Sequence, residues 1–324
     1  MTIKHVSMLY LKTIHLQNFM GYRNVSFDFF NTNQKKSICI FFGQNGIGKS
    51  TILNAISLVN GAINLKNRDN SLYFKKLVYN TNYDPVYSNV LEKENLVQKN
   101  EMRVEAIFDQ DGVEKRVILT NSKVELCEIE QKNNSFLIDA DNPNNLVKFQ
   151  LVKDQYSKKF LNMAKVIYNY DCYFDKEIFS HNDPTKNASL DNVIANLKPE
   201  WNDGNDGLSF YTDFTIIKYG VHVHYKQMSG GEKKIATLLS QICDSSYIEK
   251  ASIVLIDSFE KEIYFKRHGK SVDKLLEEFP DKQFFIATHS ETLINHVKEK
   301  YGTHCLYDME EYKLKDYGIE KYEN

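Results

Sequence analysis

The sequence predicts an α/β fold in which a parallel sheet core is combined with an antiparallel meander. Two observations carry that expectation. Short apolar runs at 37–42 (SICIFF), 252–256 (SIVLI) and 283–287 (QFFIA) alternate with stretches of helical spacing. Strands buried on both faces read this way, and the intervening helices cover those faces. Alternating runs at 25–30, 102–108 and 113–119 read instead as half-buried antiparallel strands.

Taken in order, residues 8–16 are apolar and β-branched enough for a strand, 18–22 form a turn, and 25–30 supply its antiparallel partner. After 37–42 comes a glycine-rich loop, then a helix from about Lys49 to Val59. From 61 to 219 the texture changes, with frequent Asn, Asp, Lys and Tyr. There, 102–108 and 113–119 flank Asp109-Gln110-Asp111-Gly112, a hairpin signal. Residues 124–129 extend the meander, 141–144 form a turn, 149–165 are helical and 182–207 are a polar loop. Residues 214–225 form a hairpin turning at Tyr219-Gly220, and 231–244, 271–278 and 291–300 have helical spacing. No internal repeat is evident.

Composition narrows the function classes. The 324 residues carry 41 Lys and Arg against 43 Asp and Glu, a net charge of -2. That balance excludes a strongly basic nucleic-acid binder and an acidic tail as whole-chain descriptions, while a local basic face stays open. Twenty Tyr and 20 Phe exclude general disorder. Cys39, Cys127, Cys172, Cys243 and Cys305 lie far apart, without a CxxC pair, and read as reduced thiols. The alternating N-terminal stretch carries Lys4 and His5 and is not a signal peptide. No run reaches the roughly 20 apolar residues of a membrane span, so the expected location is cytoplasmic, with no membrane partner.

Residues 43–50 read Gly-Gln-Asn-Gly-Ile-Gly-Lys-Ser and fit GxxxxGK[ST], the phosphate-binding loop. Successive backbone N–H groups must wrap a phosphate chain, and Gly43, Gly46 and Gly48 leave them accessible. The helix N-terminus adds a favourable dipole. Lys49 reaches the outer phosphates and the Ser50 hydroxyl ligates Mg2+. The loop lies between an apolar strand and an apolar helix, as the motif requires.

Three further elements accompany it. Met228-Ser229-Gly230-Gly231-Glu232 opens a helical stretch; alone it is a capping turn, and beside a phosphate loop it is a second anion site. The strand at 252–256 ends in Asp257, where Mg2+ on a bound nucleotide would be held. The strand at 283–287 leads to His289, placed to contact a γ-phosphate or a lytic water.

These elements, in this order, resemble the ATP-binding-cassette superfamily, and within it the SMC, RecF and OLD-like branch. The resemblance makes 43–51 (Gly43, Gln44, Asn45, Gly46, Gly48, Lys49, Ser50 and Thr51) the Walker A loop. Ser229, Gly230, Gly231 and Glu232 become the signature, Asp257 the end of Walker B and His289 the switch histidine. The opening Asn18-Phe19-Met20-Gly21-Tyr22 is similar to the start of such heads. The implied fold class is α/β: a P-loop NTPase with an ABC-type head, a mixed central sheet (parallel core plus antiparallel meander) and an inserted helical lobe. Residues 1–60 and 220–324 would form the head, and 61–219 the insertion.

The interval from Ser50 to Ser229 is too long for a transporter cassette. Without heptads, and with Pro143, Pro184 and Pro199 inside it, it is no coiled coil. The stretch after His289 is too short for the Toprim nuclease domain of OLD proteins. One departure matters: Ser258 stands where the family usually has its catalytic Glu, and Ser cannot act as a base near neutral pH. Glu260 matches a second acid seen in OLD-like heads and is the candidate substitute, which implies slow turnover.

The resemblance implies ATP and Mg2+ bound between two copies of the chain, with the signature residues acting in trans in a homodimer or higher homo-oligomer. It further implies control of a separate effector, a nuclease or toxin, as in anti-phage systems such as Septu or PARIS, with DNA open as a partner. A RecF- or SMC-like DNA repair or recombination ATPase is the alternative. His222 and His224 share a strand face without a third ligand and do not form a metal site. The mixed-sign tail from 308 to 324 reads as solvated surface.

Overall fold

The computed structural model describes residues 8–31, 34–64, 102–120, 124–126, 135–139, 159, 162–163, 165–168, 171–174, 214–224, 227–232, 235, 251–261 and 263–319. The chain divides into two compact units, Met1–Asp141 with Ser246–Asn324, and Asn142–Ser245.

In chain order, the opening strands of the first unit are β1 (Leu9–Phe19), β2 (Tyr22–Asp28), β3 (Phe30–Asn31), β4 (Gln34–Lys35) and β5 (Ile38–Phe42). Helix α1 (Lys49–Asn64) follows, then β6 (Arg103–Gln110), β7 (Val113–Thr120), β8 (Val124–Leu126) and β9 (Ser135–Asp139). The second unit contributes β10 (Asp171–Phe174), β11 (Phe214–Lys218) and β12 (Val221–His224). The first unit then resumes with β13 (Ile253–Asp257), α2 (His268–Glu278), β14 (Gln283–Thr288), α3 (Glu291–Tyr301), β15 (Leu306–Asp308) and α4 (Met309–Asp316).

The expected parallel core and antiparallel meander are both present, each as a five-stranded sheet. The antiparallel sheet has the order β2-β1-β6-β7-β8, and the parallel sheet β15-β5-β14-β13-β9. Strands β6 and β7 are hydrogen-bonded into the same sheet as β1, with Leu16 opposite Val104. Their connection turns through Asp111 and Gly112, both at positive φ, as the Asp-Gly signal requires. The sheets separate because β1 breaks register between Leu11 and Thr13, and its amino end bonds side chains of the parallel sheet. Leu9 N–H donates to Ser252 Oγ at 3.1 Å. Leu11 N–H donates to Gln283 Oε1 at 2.9 Å, and Gln283 Nε2 returns a bond to Leu11 O at 3.0 Å.

Helix α1 lies between the sheets, touching β6 and β7 on one side and β9, β13 and β14 on the other. Ile52, Leu53, Ala55, Ile56, Leu58 and Val59 are all buried, an apolar surface too wide for a surface helix. Each of its larger side chains contributes about 2 kcal/mol on burial. Part of the same core is aromatic: Phe27, Phe29, Phe41, Phe285 and Tyr307 interlock, with Phe29 edge-on to Phe285 at 4.8 Å. Tyr312 of α4 stacks on Phe27 at 4.5 Å.

That stacking begins a correction to the tail. Residues 308–316 are not a solvated surface. Met309 is fully buried, Asp316 is nearly so, and β15 pairs with β5 in parallel. Glu310, Lys313 and Asp316 of α4 find partners in the unit that no sequence pattern displays, while Glu311 and Lys315 are exposed.

Within the second unit, β11 and β12 form the expected hairpin, with Tyr219 and Gly220 both at positive φ. Residues 230–232 and 235 are helical, as are the described residues between 159 and 168. The polar loop at 182–207 and the turn at 141–144 lie outside the described residues, as do the remainder of the helices expected at 149–165 and 231–244.

Candidate functional site

The parallel register brings the candidate residues to one edge. Phe42 is opposite Thr288, Ala287 is opposite Asp257, and Asp257 is opposite Asp139. The loop after β5, the His289 loop and the Asp257 loop therefore all leave the carboxyl ends of adjacent strands, where α/β sheets bind ligands.

The loop at 43–48 turns through Gly43 (φ 134°), Gly46 (φ 78°) and Gly48 (φ 113°), conformations that side-chain-bearing residues rarely adopt. A Cβ on Gly48 would collide with the Tyr22 hydroxyl, whereas one on Gly46 would meet nothing within 4 Å. Gly48 is thus required by its neighbours, and Gly46 faces open space. Among the described residues, the N–H groups of Asn45, Gly46 and Gly48 have no acceptor. Gln44, Asn45, Gly46 and Ser50 are exposed, and Thr51 is half-buried. The first turn of α1 carries no acidic residue to compete with an anion at the helix dipole.

Lys49 is 6% exposed. Its ammonium donates to Gly43 O at 2.9 Å and Gln44 O at 2.8 Å, closing the loop on itself. Burial pushes its pKa below the ordinary lysine value, and Asp257, Glu260 and Glu310 oppose the shift. These charges act on one ammonium, so the strand-end acid and the second acid share the electrostatic environment of the loop lysine.

Ser258 has φ 56°, unusual for a non-glycine residue, and its N–H donates to Ala287 O at 3.0 Å. The chain thereby curls so that Glu260 faces the His289 loop: His289 N–H donates to Glu260 Oε1 at 2.7 Å. Glu260 Oε2 is buried without a hydrogen-bond partner, an acceptor held ready for a proton or a donor. The His289 side chain is exposed. Behind the two loops, His268 bridges Ser290 Oγ (2.6 Å) and Ile263 O (2.8 Å). Ser290 also caps α3 by accepting from Leu293 N–H at 3.1 Å.

In the second unit, Ser229 and Glu232 form a reciprocal capping box. Glu232 N–H donates to Ser229 Oγ at 3.3 Å, and Ser229 N–H donates to Glu232 Oε2 at 2.8 Å. Burial raises the Glu232 pKa, but the bonds from Ser229 and Lys218 outweigh it and hold the carboxyl below its ordinary value. Lys218 Nζ lies 3.2 Å from Glu232 Oε1, and the Tyr168 hydroxyl donates to Glu232 O. Ser229 and Gly230 are exposed and Gly231 half-buried; a Cβ on Gly230 would meet nothing within 4 Å.

The first unit's donor set fits a nucleoside triphosphate with a divalent ion: orphaned amides, a buried lysine, and Ser50 and Asp257 as hard oxygen ligands. No group of three or more His, Cys, Asp or Glu among the described residues could hold a metal. An ion here would draw its remaining ligands from phosphate and water, the usual habit of Mg2+.

Two residues beside the loop received no role from the sequence. Tyr22 was visible only as the end of a motif, and Glu310 had no signal. Strand β9 was also missed, although Ser135-Phe-Leu-Ile-Asp139 repeats the apolar-run-then-Asp form of the strand ending at Asp257.

A model of the RecF/RecN/SMC N terminal domain matches residues 10–310. A protein of Vibrio cholerae serotype O1 biovar El Tor, the retron Vc95 probable ATPase, is 32% identical over 96 residues. The match covers 27% of this chain and 19% of that relative's length. The SMC head domain from Thermotoga maritima aligns with 89% of this chain and 92% of its own, at a TM-score of 0.52 and 14% identity. An SMC head bound to the C-winged helix domain of ScpA gives a TM-score of 0.53 and 16% identity over 89% and 91% of the two chains. The fold is that of an SMC-type ABC ATPase head. Among the described residues, no helix is long and apolar enough to cross a membrane.

Proposed function

Because the chain belongs to the RecF/RecN/SMC N-terminal domain family, we propose that it is an ABC-type ATPase whose nucleotide-gated dimerisation controls a separate effector, a nuclease or toxin, in a DNA-linked defence system. The observation that carries the hydrolytic part is the register that sets the ends of three adjacent parallel strands side by side, with the His289 N–H on the Glu260 carboxylate at 2.7 Å next to the loop that follows Phe42. The defence part draws support from the 96-residue match to a retron ATPase.

In this reading the loop amides and Lys49 bind the phosphates of ATP. Ser50 and Asp257 would hold Mg2+, which when bound would neutralise charge on the outer phosphates. Glu260, positioned by the His289 N–H, accepts a proton from the attacking water as its oxygen bonds to the γ-phosphorus and the ADP oxygen departs. His289 lies on the same loop edge, toward the γ-phosphate. Ser229 and the Gly230 and Gly231 amides of a second copy complete the phosphate shell, so nucleotide bound to one protomer drives dimerisation. Ser258 contributes no base, so turnover is slow and the ATP-bound dimer persists as the signal.

The test is Glu260→Gln in the full chain. Phosphate release falls about 100-fold or more, while ATP binding and ATP-dependent dimerisation persist in a sizing measurement. Unchanged hydrolysis would remove Glu260 from the chemistry, and full activity in a strict monomer would remove the trans arrangement. The family supports a second reading, a DNA repair or recombination ATPase. Strong stimulation of hydrolysis by gapped DNA favours that reading, and co-purification of a nuclease or toxin favours the first.

A further inference from the structure

The phosphate loop is held at two points by groups that trace back to α4. At the loop's start, Gln44 N–H donates to Glu310 Oε1 at 3.2 Å, and Gly43 packs against Glu310, with 3.6 Å from its notional Cβ to Glu310 Cγ. At its end, the Tyr22 hydroxyl donates to Gly48 O at 3.2 Å, the same carbonyl that accepts the α1 bond from Ile52 N–H. Tyr22 is 1% exposed, and its ring is the surface that forbids a side chain at Gly48.

Tyr22 is in turn positioned by the far end of α4. Lys313 Nζ lies 4.2 Å above its ring and donates to Gly21 O. The Asp316 carboxylate accepts from Arg23 N–H at 2.9 and 3.0 Å and from Asn24 N–H at 2.5 Å, fixing the strand that begins with Tyr22. Arg23 stacks on Tyr317 at 4.1 Å. Glu310, Lys313 and Asp316 recur every three residues, so they share one face of a two-turn helix. A charge-assisted bond to backbone N–H is among the stronger protein hydrogen bonds, and the Asp316 carboxylate accepts two N–H groups.

We propose that α4 is a brace that sets the shape of the phosphate loop, with Tyr22 and Glu310 as positioning residues and Asp316 as the anchor that acts through Tyr22. The proposal rests on the reading of 43–51 as the nucleotide loop. One short helix spans both attachment points, so a displacement of α4 reaches the loop at both ends. Nucleotide affinity is then a property of the segment after β15 as well as of the loop.

The experiment measures the Kd of a fluorescent ATP analogue and the melting temperature for the full chain carrying Tyr22→Phe, Glu310→Ala, Glu310→Gln or Asp316→Ala. Tyr22→Phe and Glu310→Ala each weaken binding about three- to tenfold, the value of one hydrogen bond. Glu310→Gln keeps an oxygen for the Gln44 N–H and restores most of the affinity. Asp316→Ala weakens binding by a similar factor although Asp316 contacts no loop residue, and turnover at saturating ATP changes less than Kd. Wild-type Kd in Asp316→Ala, with or without a lowered melting temperature, overturns the brace. If Asp316→Ala does not fold, Tyr22→Phe decides, since it removes one oxygen and leaves the ring: unchanged Kd overturns the proposal. Absence of binding by the wild-type chain would instead overturn the nucleotide reading itself.

Discussion

Two helix starts in this chain are rich in glycine, and they are built on opposite principles. At α1 the glycines are required from within: Gly43, Gly46 and Gly48 occupy positive φ, and Tyr22 fills the space a Gly48 side chain would need. Among the described residues, the N–H groups of Asn45, Gly46 and Gly48 are left without internal acceptors, and no acid sits in the first turn. At residue 230 the position is reversed. The helix start is closed by its own Ser229–Glu232 box, while Gly230 has neither positive φ nor a neighbour within 4 Å of a notional Cβ. A glycine at a helix start forgoes stability relative to alanine. Among the described residues nothing requires a glycine there, which accords with the proposal that a second copy approaches this backbone closely. In the proposed function, one helix start receives the phosphates and the other is the surface that a second copy presents to them.

The largest test of that contrast is Gly48→Ala. Positive φ and the Tyr22 contact together cost about 3 kcal/mol, about a hundredfold in occupancy of the native loop shape. Nucleotide titration should show at least that loss, and wild-type affinity would mean that the loop tolerates another shape. A smaller effect of different character is expected for Gly230→Ala. Its melting temperature stays level or rises by up to the equivalent of about 1 kcal/mol. ATP binding to the isolated protomer is unchanged, and hydrolysis falls about tenfold or more as the new methyl group obstructs a partner. Retention of full hydrolysis would place the reason for Gly230 elsewhere.

The contrast also shows what a sequence can display. The positions of the glycine-rich loop, Asp257 and His289 at the ends of parallel strands were legible because each is a local pattern: a glycine spacing, or an apolar run ending in one residue type. The hairpin turns at Asp111-Gly112 and Tyr219-Gly220 were legible for the same reason. The separation into two sheets was not, since it depends on the register break at Leu11 and on the single side chain of Gln283, 272 positions away. Strand β9 was hidden by the polar texture around a five-residue run. The role of α4 was hidden because Asp316 and Lys313 resemble ordinary surface charges until the hairpin carrying Tyr22 lies against them. Local periodicity states which residues are buried; it does not state which charges find partners.

The smallest effect concerns the capping box that closes the second helix start. Glu232 has a carboxyl held below its ordinary value: burial works against the charged form, and the Ser229 and Lys218 bonds overcome it. A group with a depressed folded-state pKa contributes stability that is complete above its unfolded value, here near 4.5, and is lost as pH falls through the folded value. Glu232→Gln should therefore lower the stability of the second unit by about 1 kcal/mol at neutral pH, the usual worth of a cap. The difference from wild type should narrow below pH 4.5, as wild type loses its own charge. Melting curves at pH 7 and at stepwise lower pH measure it. If the gap is the same across the whole range, the carboxylate charge plays no part in closing this helix. The exposed Ser229 and Gly230 would then owe their geometry to the backbone alone.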